Sequence, residues 1–342
     1  MAAAQPYPHP RIRADWLNLV REDIIEPDRP IIDPHHHLWH DRPQGRYLID
    51  ELAADLNSGH NVVATVFMQC AWMHDPARPE AFRPVGETEC VNAVAALSAR
   101  GAYGKAKACA GIIGYADLRR PELEQVLQAH QQAGGGRFRG IRHIAAWDDT
   151  IQPTSSTVPP PGLLRDENFL NGLRKLGALG FTFDAWLYHP QLQDMAKAAR
   201  SAPDTRIVID HVGGPLGCGE YRSARDEVAR TWRSSMQELA ACPNVSVKLG
   251  GLAMPVNGFD YDKNDRPPTS EQIARDWKPW IEPCIEMFGP ERCMFESNFP
   301  VDKGMCSYPV LWNAFKRLAR GASDREKSML FHDTAAQFYK PQ

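Results

Sequence analysis

The chain has 342 residues, 43% hydrophobic and 24% charged, with a formal net charge of −3. Such a balance describes a water-soluble protein that can bury a full core without disulfides or a structural metal, and it offers neither nucleic acid nor an anionic membrane an obvious electrostatic footprint. No run approaches the ~18 consecutive apolar residues of a membrane span, and Met1–Pro10 lacks the apolar segment of a secretion signal, so a cytoplasmic protein acting on a small molecule is expected.

Residues 1–30 read as an arm that packs on the main domain or on a second subunit of a homodimer. From Ile31 onward, short apolar runs alternate with longer helical patterns over residues 31–342, with no linker marking a second domain. The strand candidates are Ile31–Asp33, Val62–Gln69, Ala108–Tyr115, Phe138–His143, Phe181–Trp186, Ile207–Asp210, Val245–Leu249 and Cys293–Glu296. Between them, helical spacing is found over Thr88–Arg100, from Pro121, and over Asn168–Leu179, Gln191–Ser201, Ala224–Ala241, Ser270–Met287, Tyr308–Arg320 and Asp324–Tyr339. Eight strand–helix units predict a single-domain α/β fold, the (β/α)8 TIM barrel. Segments that follow the strands are long: Ala71–Gly86, Trp147–Arg165 (with the polar stretch Thr154–Thr157), Val212–Ser223 and Gly250–Thr269. In a barrel those segments line the catalytic face, and long loops in a compact domain usually carry function.

Eight cysteines, Cys70, Cys90, Cys109, Cys218, Cys242, Cys284, Cys293 and Cys306, include no Cys-x-x-Cys pair. Their apolar surroundings, as in Ala108-Cys109-Ala110, read as reduced, buried thiols.

Three strand ends carry the chemistry. The first is Ile31-Ile32-Asp33-Pro34-His35-His36-His37-Leu38-Trp39. In extended backbone, His35 and His37 share a face and His36 points away, so two imidazoles can converge on one cation. The second is Asp210-His211-Val212-Gly213-Gly214-Pro215, where an apolar strand ends in a histidine and a glycine turn. The third is Met294-Phe295-Glu296-Ser297-Asn298-Phe299-Pro300-Val301-Asp302, which sets Glu296 one pleat below Asn298. A carboxylate inside a barrel requires a cation, either a metal or a buried partner such as Lys248.

Together with Arg139-Gly140-Ile141-Arg142-His143, Tyr188-His189-Pro190-Gln191-Leu192 and Val247-Lys248-Leu249-Gly250-Gly251-Leu252, these motifs resemble the amidohydrolase superfamily. The closer likeness is to its lactonase-like (amidohydrolase 2) branch, that of L-fuconolactonase, sulfomuconolactonase and 2-pyrone-4,6-dicarboxylate hydrolase, and it spans about residues 30 to 340. The resemblance implies His35 and His37 as metal or substrate histidines, with His211 polarising the scissile carbonyl. It implies Arg142 on a substrate carboxylate, with His143, Trp39 and Tyr188 in the substrate site. One departure stands out: the branch normally ends its eighth strand in Ser-Asp, whereas here the position is Asn298, whose amide cannot act as a base. Glu296, also a candidate metal ligand, or else Asp302 would supply the missing carboxylate. Zinc or manganese suits this ligand set, although the fifth strand lacks the histidine many superfamily members use, and metal-free operation stays open. Asp184 and Glu87 are candidates for an extra ligand.

The expected activity is hydrolysis of a small, carboxylated lactone or related cyclic ester. Two rivals stand beside it: a metal-dependent decarboxylase of the same superfamily, and a ligand-binding protein whose catalysis was altered when Asp became Asn.

Overall fold

The computed structural model describes residues 9–151 and 158–342; residues 1–8 and the Thr154–Thr157 stretch lie outside the described residues. Eight strands, β1 (Ile31–His36), β2 (Val62–Met68), β3 (Lys107–Gly114), β4 (Phe138–Arg142), β5 (Thr182–Ala185), β6 (Arg206–Ile209), β7 (Val245–Leu249) and β8 (Cys293–Phe295), form one sheet in sequence order. Every neighbouring pair in that order is parallel. The end of β8 returns to β1 through a bridge between His36 and Phe299, with the His37 amide donating to the Phe299 carbonyl at 2.7 Å. This is a (β/α)8 barrel. No helix among the described residues is long and apolar enough to cross a membrane.

Side-chain alternation sorts the strands into two layers. Ile31, Phe67, Ile112, Ile141, Phe183, Ile207, Val247 and Phe295 face outward into the core shared with the helices. Ile32, Ala64, Val66, Met68, Ala110, Val208 and Met294 face inward and pack against Ala335, Phe338 and Tyr339. The last helical segment is therefore the floor of the barrel. It differs from the continuous helix expected over Asp324–Tyr339: α-helix Asp324–Ser328 is followed by a π-turn, Met329–Asp333, and then α-helix Thr334–Tyr339. The wider π-turn shifts the helix face, so Phe331 packs on Phe295 (4.8 Å between rings) while Tyr339 reaches the interior. The sequence reading also omits a helix at Ile49–Leu56, which buries Leu52, Ala53 and Leu56. At two turns it is too short for its periodicity to stand out.

Above the apolar floor lies a layer of charge. The Lys248 ammonium sits 2.7 Å from Asp184 and 3.0 Å from Asp210, and none of the three is solvent-exposed. Burial opposes the charge on Lys248, but the two carboxylates outweigh it and raise its pKa. The Tyr339 hydroxyl donates to Asp184 from below. Removing one member of a buried ionic cluster leaves an uncompensated charge and costs about 3–5 kcal/mol. Lys248→Met is accordingly expected to lower the unfolding free energy obtained by urea titration by about 3–5 kcal/mol, and a loss of less than about 1 kcal/mol would contradict this pairing.

Candidate active site

Local backbone irregularities put the site histidines where they are. A register shift between Asp33 and His36 interrupts the pairing of β1 with β2. Within it, His35 points into the barrel, while at its end His36 turns outward, its Nε2 2.8 Å from the Thr65 hydroxyl. Asp33 holds the shift in place, accepting from the amides of Ser297 (3.0 Å) and His35 (3.3 Å) and from the Tyr308 hydroxyl (3.0 Å). At the end of β6, His211 and Val212 take left-handed φ values of 54° and 47°, an unfavourable backbone retained only where surroundings enforce it. Glu296 holds His211 there through its amide and its ring, and Gly250-Gly251 after β7 leaves the room. A Cβ on Gly250 would fall 2.7 Å from the Glu296 Cγ, and one on Gly251 (φ +67°) would fall 2.7 Å from the His211 Cβ and closer still to its ring.

Glu296 is the electrostatic centre. Its Oε1 accepts from the His211 amide (3.0 Å) and lies 2.7 Å from His211 Nδ1, while its Oε2 lies 2.7 Å from His35 Nδ1. Burial pushes this carboxyl up, yet the adjacent His211 and His35 more than offset it and hold it below the usual carboxylate range. An ionised carboxylate only accepts, so both Nδ1 atoms carry hydrogen, and a neutral ring held this way presents its lone pair at Nε2. Burial, reinforced by the Lys248 ammonium 3.3 Å away, keeps His35 neutral. His37 Nδ1 donates to the Met68 carbonyl at 2.8 Å, which leaves its Nε2 facing His35 Nε2 at 3.3 Å.

These donors suit a divalent ion. His35, His211 and Glu296 offer ligand atoms within 4.8 Å of one another. The 3.3 Å between the Nε2 atoms of His35 and His37 matches the spacing of two nitrogens bound at about 2.0–2.1 Å to a tetrahedral ion. The other suggested ligands are engaged elsewhere. Asp184 pairs with Lys248, and Glu87 accepts the Cys70 and Trp72 amides (3.0 and 2.8 Å), anchoring the loop after β2.

His37, His211, Arg142, Asn298 and Trp39 converge on one cavity of about 50 Å³. Arg142 reaches in with Nη1 3.4 Å from His35 Nε2 and 3.8 Å from Asp210, while its Nη2 donates to the Gln69 carbonyl. His35 and Glu296 lie just beneath the cavity wall. Asn298 donates to Asp302 at 2.8 Å, and Asp302 also accepts the Ala253 amide at 3.1 Å. Burial drives the Asp302 carboxyl far above its ordinary pKa. His143 and Tyr188 lie outside the cavity wall: His143 packs against Tyr115 and Phe169, and Tyr188 stands behind Trp186.

Sequence reasoning missed two polar members of the wall, Arg42 and His9. Arg42 donates to the Cys70 carbonyl and stacks 4.4 Å over Trp39. Its position three residues beyond Trp39 was the available signal. His9 had none, because it precedes every strand. Gly251→Ala is expected to displace His211 and to lower the melting temperature by the equivalent of about 1–3 kcal/mol. An unchanged melt would show that the ring has room to move.

A profile of the amidohydrolase family matches residues 32–340. The uncharacterised protein y4mH of Sinorhizobium fredii is 32% identical over 334 residues, covering 92% of this chain and 99% of that protein. An L-fucono-1,5-lactonase of Burkholderia multivorans is 27% identical over 322 residues, covering 90% and 95% respectively. The crystal structure of a B. multivorans amidohydrolase with bound zinc superposes with a TM-score of 0.70 at 25% identity, covering 91% of this chain and 99% of that one.

Proposed function

The chain belongs to the amidohydrolase family, and from that membership and the site geometry we propose that it is a hydrolase that opens a small, carboxylated lactone. The observation that carries this reading is the carboxylate of Glu296 held between His35 Nδ1 and His211 Nδ1, 2.7 Å from each. That arrangement makes two imidazoles basic toward the cavity, while Arg142 stands ready for an anionic substituent. The lactonase relative supports the ester-bond chemistry.

In this reading, Arg142 orients the substrate carboxylate through its planar fork of donors. His211 takes a proton from water as the oxygen adds to the lactone carbonyl, and Glu296 stabilises the resulting imidazolium. When the ring C–O bond breaks, His211 returns that proton to the departing alkoxide, so one water is consumed and a hydroxy acid leaves. Glu296 has no solvent exposure, so it acts through the imidazoles and not on water. Asn298, fixed by Asp302, contributes polar contacts to the wall and no proton transfer. His35, backed by Glu296, and His37, backed by the Met68 carbonyl, would hold a zinc or manganese ion, whose bound role is to polarise the carbonyl as a Lewis acid.

Purified protein is expected to carry a divalent ion by elemental analysis and to release acid from carboxylated lactones in a pH-stat screen, with turnover falling on chelation. Carbon dioxide release from matching carboxylic acids, without any lactone opening, would replace hydrolysis by decarboxylation. Absence of turnover that Asn298→Asp then creates would favour the binding-protein reading. Glu296→Gln is expected to lower kcat about 10²–10⁴-fold with KM little changed, and Glu296→Asp to restore part of it. Equal losses in both variants, or a loss confined to KM, would remove Glu296 from the proton-transfer pathway.

A further inference from the structure

The segment before β1 runs up the barrel to its catalytic rim. Near its base, Glu22 accepts the Ser270 amide at 2.7 Å and Asn313 Nδ2 at 3.2 Å. Higher up, Trp16 Nε1 donates to the Asn264 carbonyl at 3.0 Å and Arg13 to the Asp262 carbonyl at 2.8 Å, both in the loop after β7. The Ile12 amide donates to the Gln44 carbonyl at 2.9 Å, which ties the arm to the loop that carries Arg42. Pro10 then lies against the segment after β8, where a Cβ on Gly304 would fall 2.5 Å from the Pro10 carbonyl oxygen. Three catalytic-face loops thus fix the path of the arm, and the residue it delivers into the cavity wall is His9. All of it precedes the segment matched by the family profile.

Charge on the wall has one sign. Arg42 and Arg142 line the cavity beside the imidazoles of His9, His37 and His211, and no Asp or Glu lines it among the described residues. Two guanidiniums and an imidazole, set among apolar side chains such as Trp39, Ile144 and Trp186, are the donors that recognise a carboxylate. We propose that His9 is a substrate-contacting, specificity-determining residue, presented by the arm, that completes with Arg42 the anion-binding wall begun by Arg142. The inference deepens the lactonase reading and rests on it for the identity of the substrate, but the recognition of a carboxylate can be measured without turnover.

The test pairs tetrahydrofuran-2-carboxylate with tetrahydrofuran-2-carboxamide, two cyclic ethers that cannot be ring-opened by hydrolysis, titrated calorimetrically into the full chain. Wild type is expected to prefer the acid, and His9→Ala to cut that preference about tenfold, the equivalent of one charge-assisted hydrogen bond. Trp16→Phe, which removes the bond to Asn264 and loosens the arm, is expected to act in the same direction. Thermal melts check that both variants fold. A wild type without preference for the acid, or a His9→Ala variant that keeps it, overturns the proposal. If the preference depends on His9 while the lactone screen stays silent, the assignment of His9 stands and the lactonase reading falls.

Discussion

A carboxylate without solvent contact is stable only where the protein replaces its water. Glu296 has no exposure, and an unpaired ion there would cost several kcal/mol. Two imidazole N–H groups and a backbone amide take the place of that water. Much of the local architecture follows from this one requirement. The irregularity in β1 turns His35 inward, the left-handed His211 brings both its amide and its ring to the same oxygen, and the glycine pair after β7 leaves room for them. The arrangement has a chemical consequence: satisfying the buried charge puts a hydrogen of each ring on Nδ1 and turns each Nε2 away from Glu296.

A second buried cluster keeps that centre from being neutralised. Lys248 lies 3.3 Å from His35 Nδ1, but Asp184 and Asp210 claim its charge. With Lys248 committed below, the imidazoles remain the principal partners of Glu296 above. Asp210 is shared in turn, lying 3.0 Å from Lys248 and 3.8 Å from Arg142. Low dielectric strengthens each of these pairings.

What the sequence made legible were features with local periodicity. Apolar runs located the strands to within a few residues, and His35, His37, His211 and Glu296 were marked by standing at strand ends, where a barrel builds its catalytic face. What stayed hidden depends on partners distant in sequence. Glu296 could be recognised as a deep carboxylate, but its position behind two imidazoles is a relation among residues 35, 211 and 296 that no spacing encodes. Asn298 was visible as a departure, whereas its hydrogen bond to Asp302 was one of several options. His143 sits beside Arg142 in a motif, yet strand alternation turns it to the opposite face, a consequence of the period of two that the motif alone conceals. Arg42 and His9 lie in irregular backbone, where neither helical nor strand periodicity applies and tertiary hydrogen bonds alone set direction.

The floor supplied by Thr334–Tyr339 bears on the order in which the molecule can be assembled. Tyr339 caps the Asp184 end of the ionic layer, and the Gln342 amide donates to the Ala110 carbonyl in β3 at 2.9 Å. During vectorial synthesis, Asp184, Asp210 and Lys248 emerge from the ribosome long before the segment that seals them from water beneath. Until residues 334–339 dock, the lumen is open from below and its charges remain hydrated. Dehydration of the lumen, and with it the strengthening of every pairing around Glu296, therefore requires residues 334–339 in place.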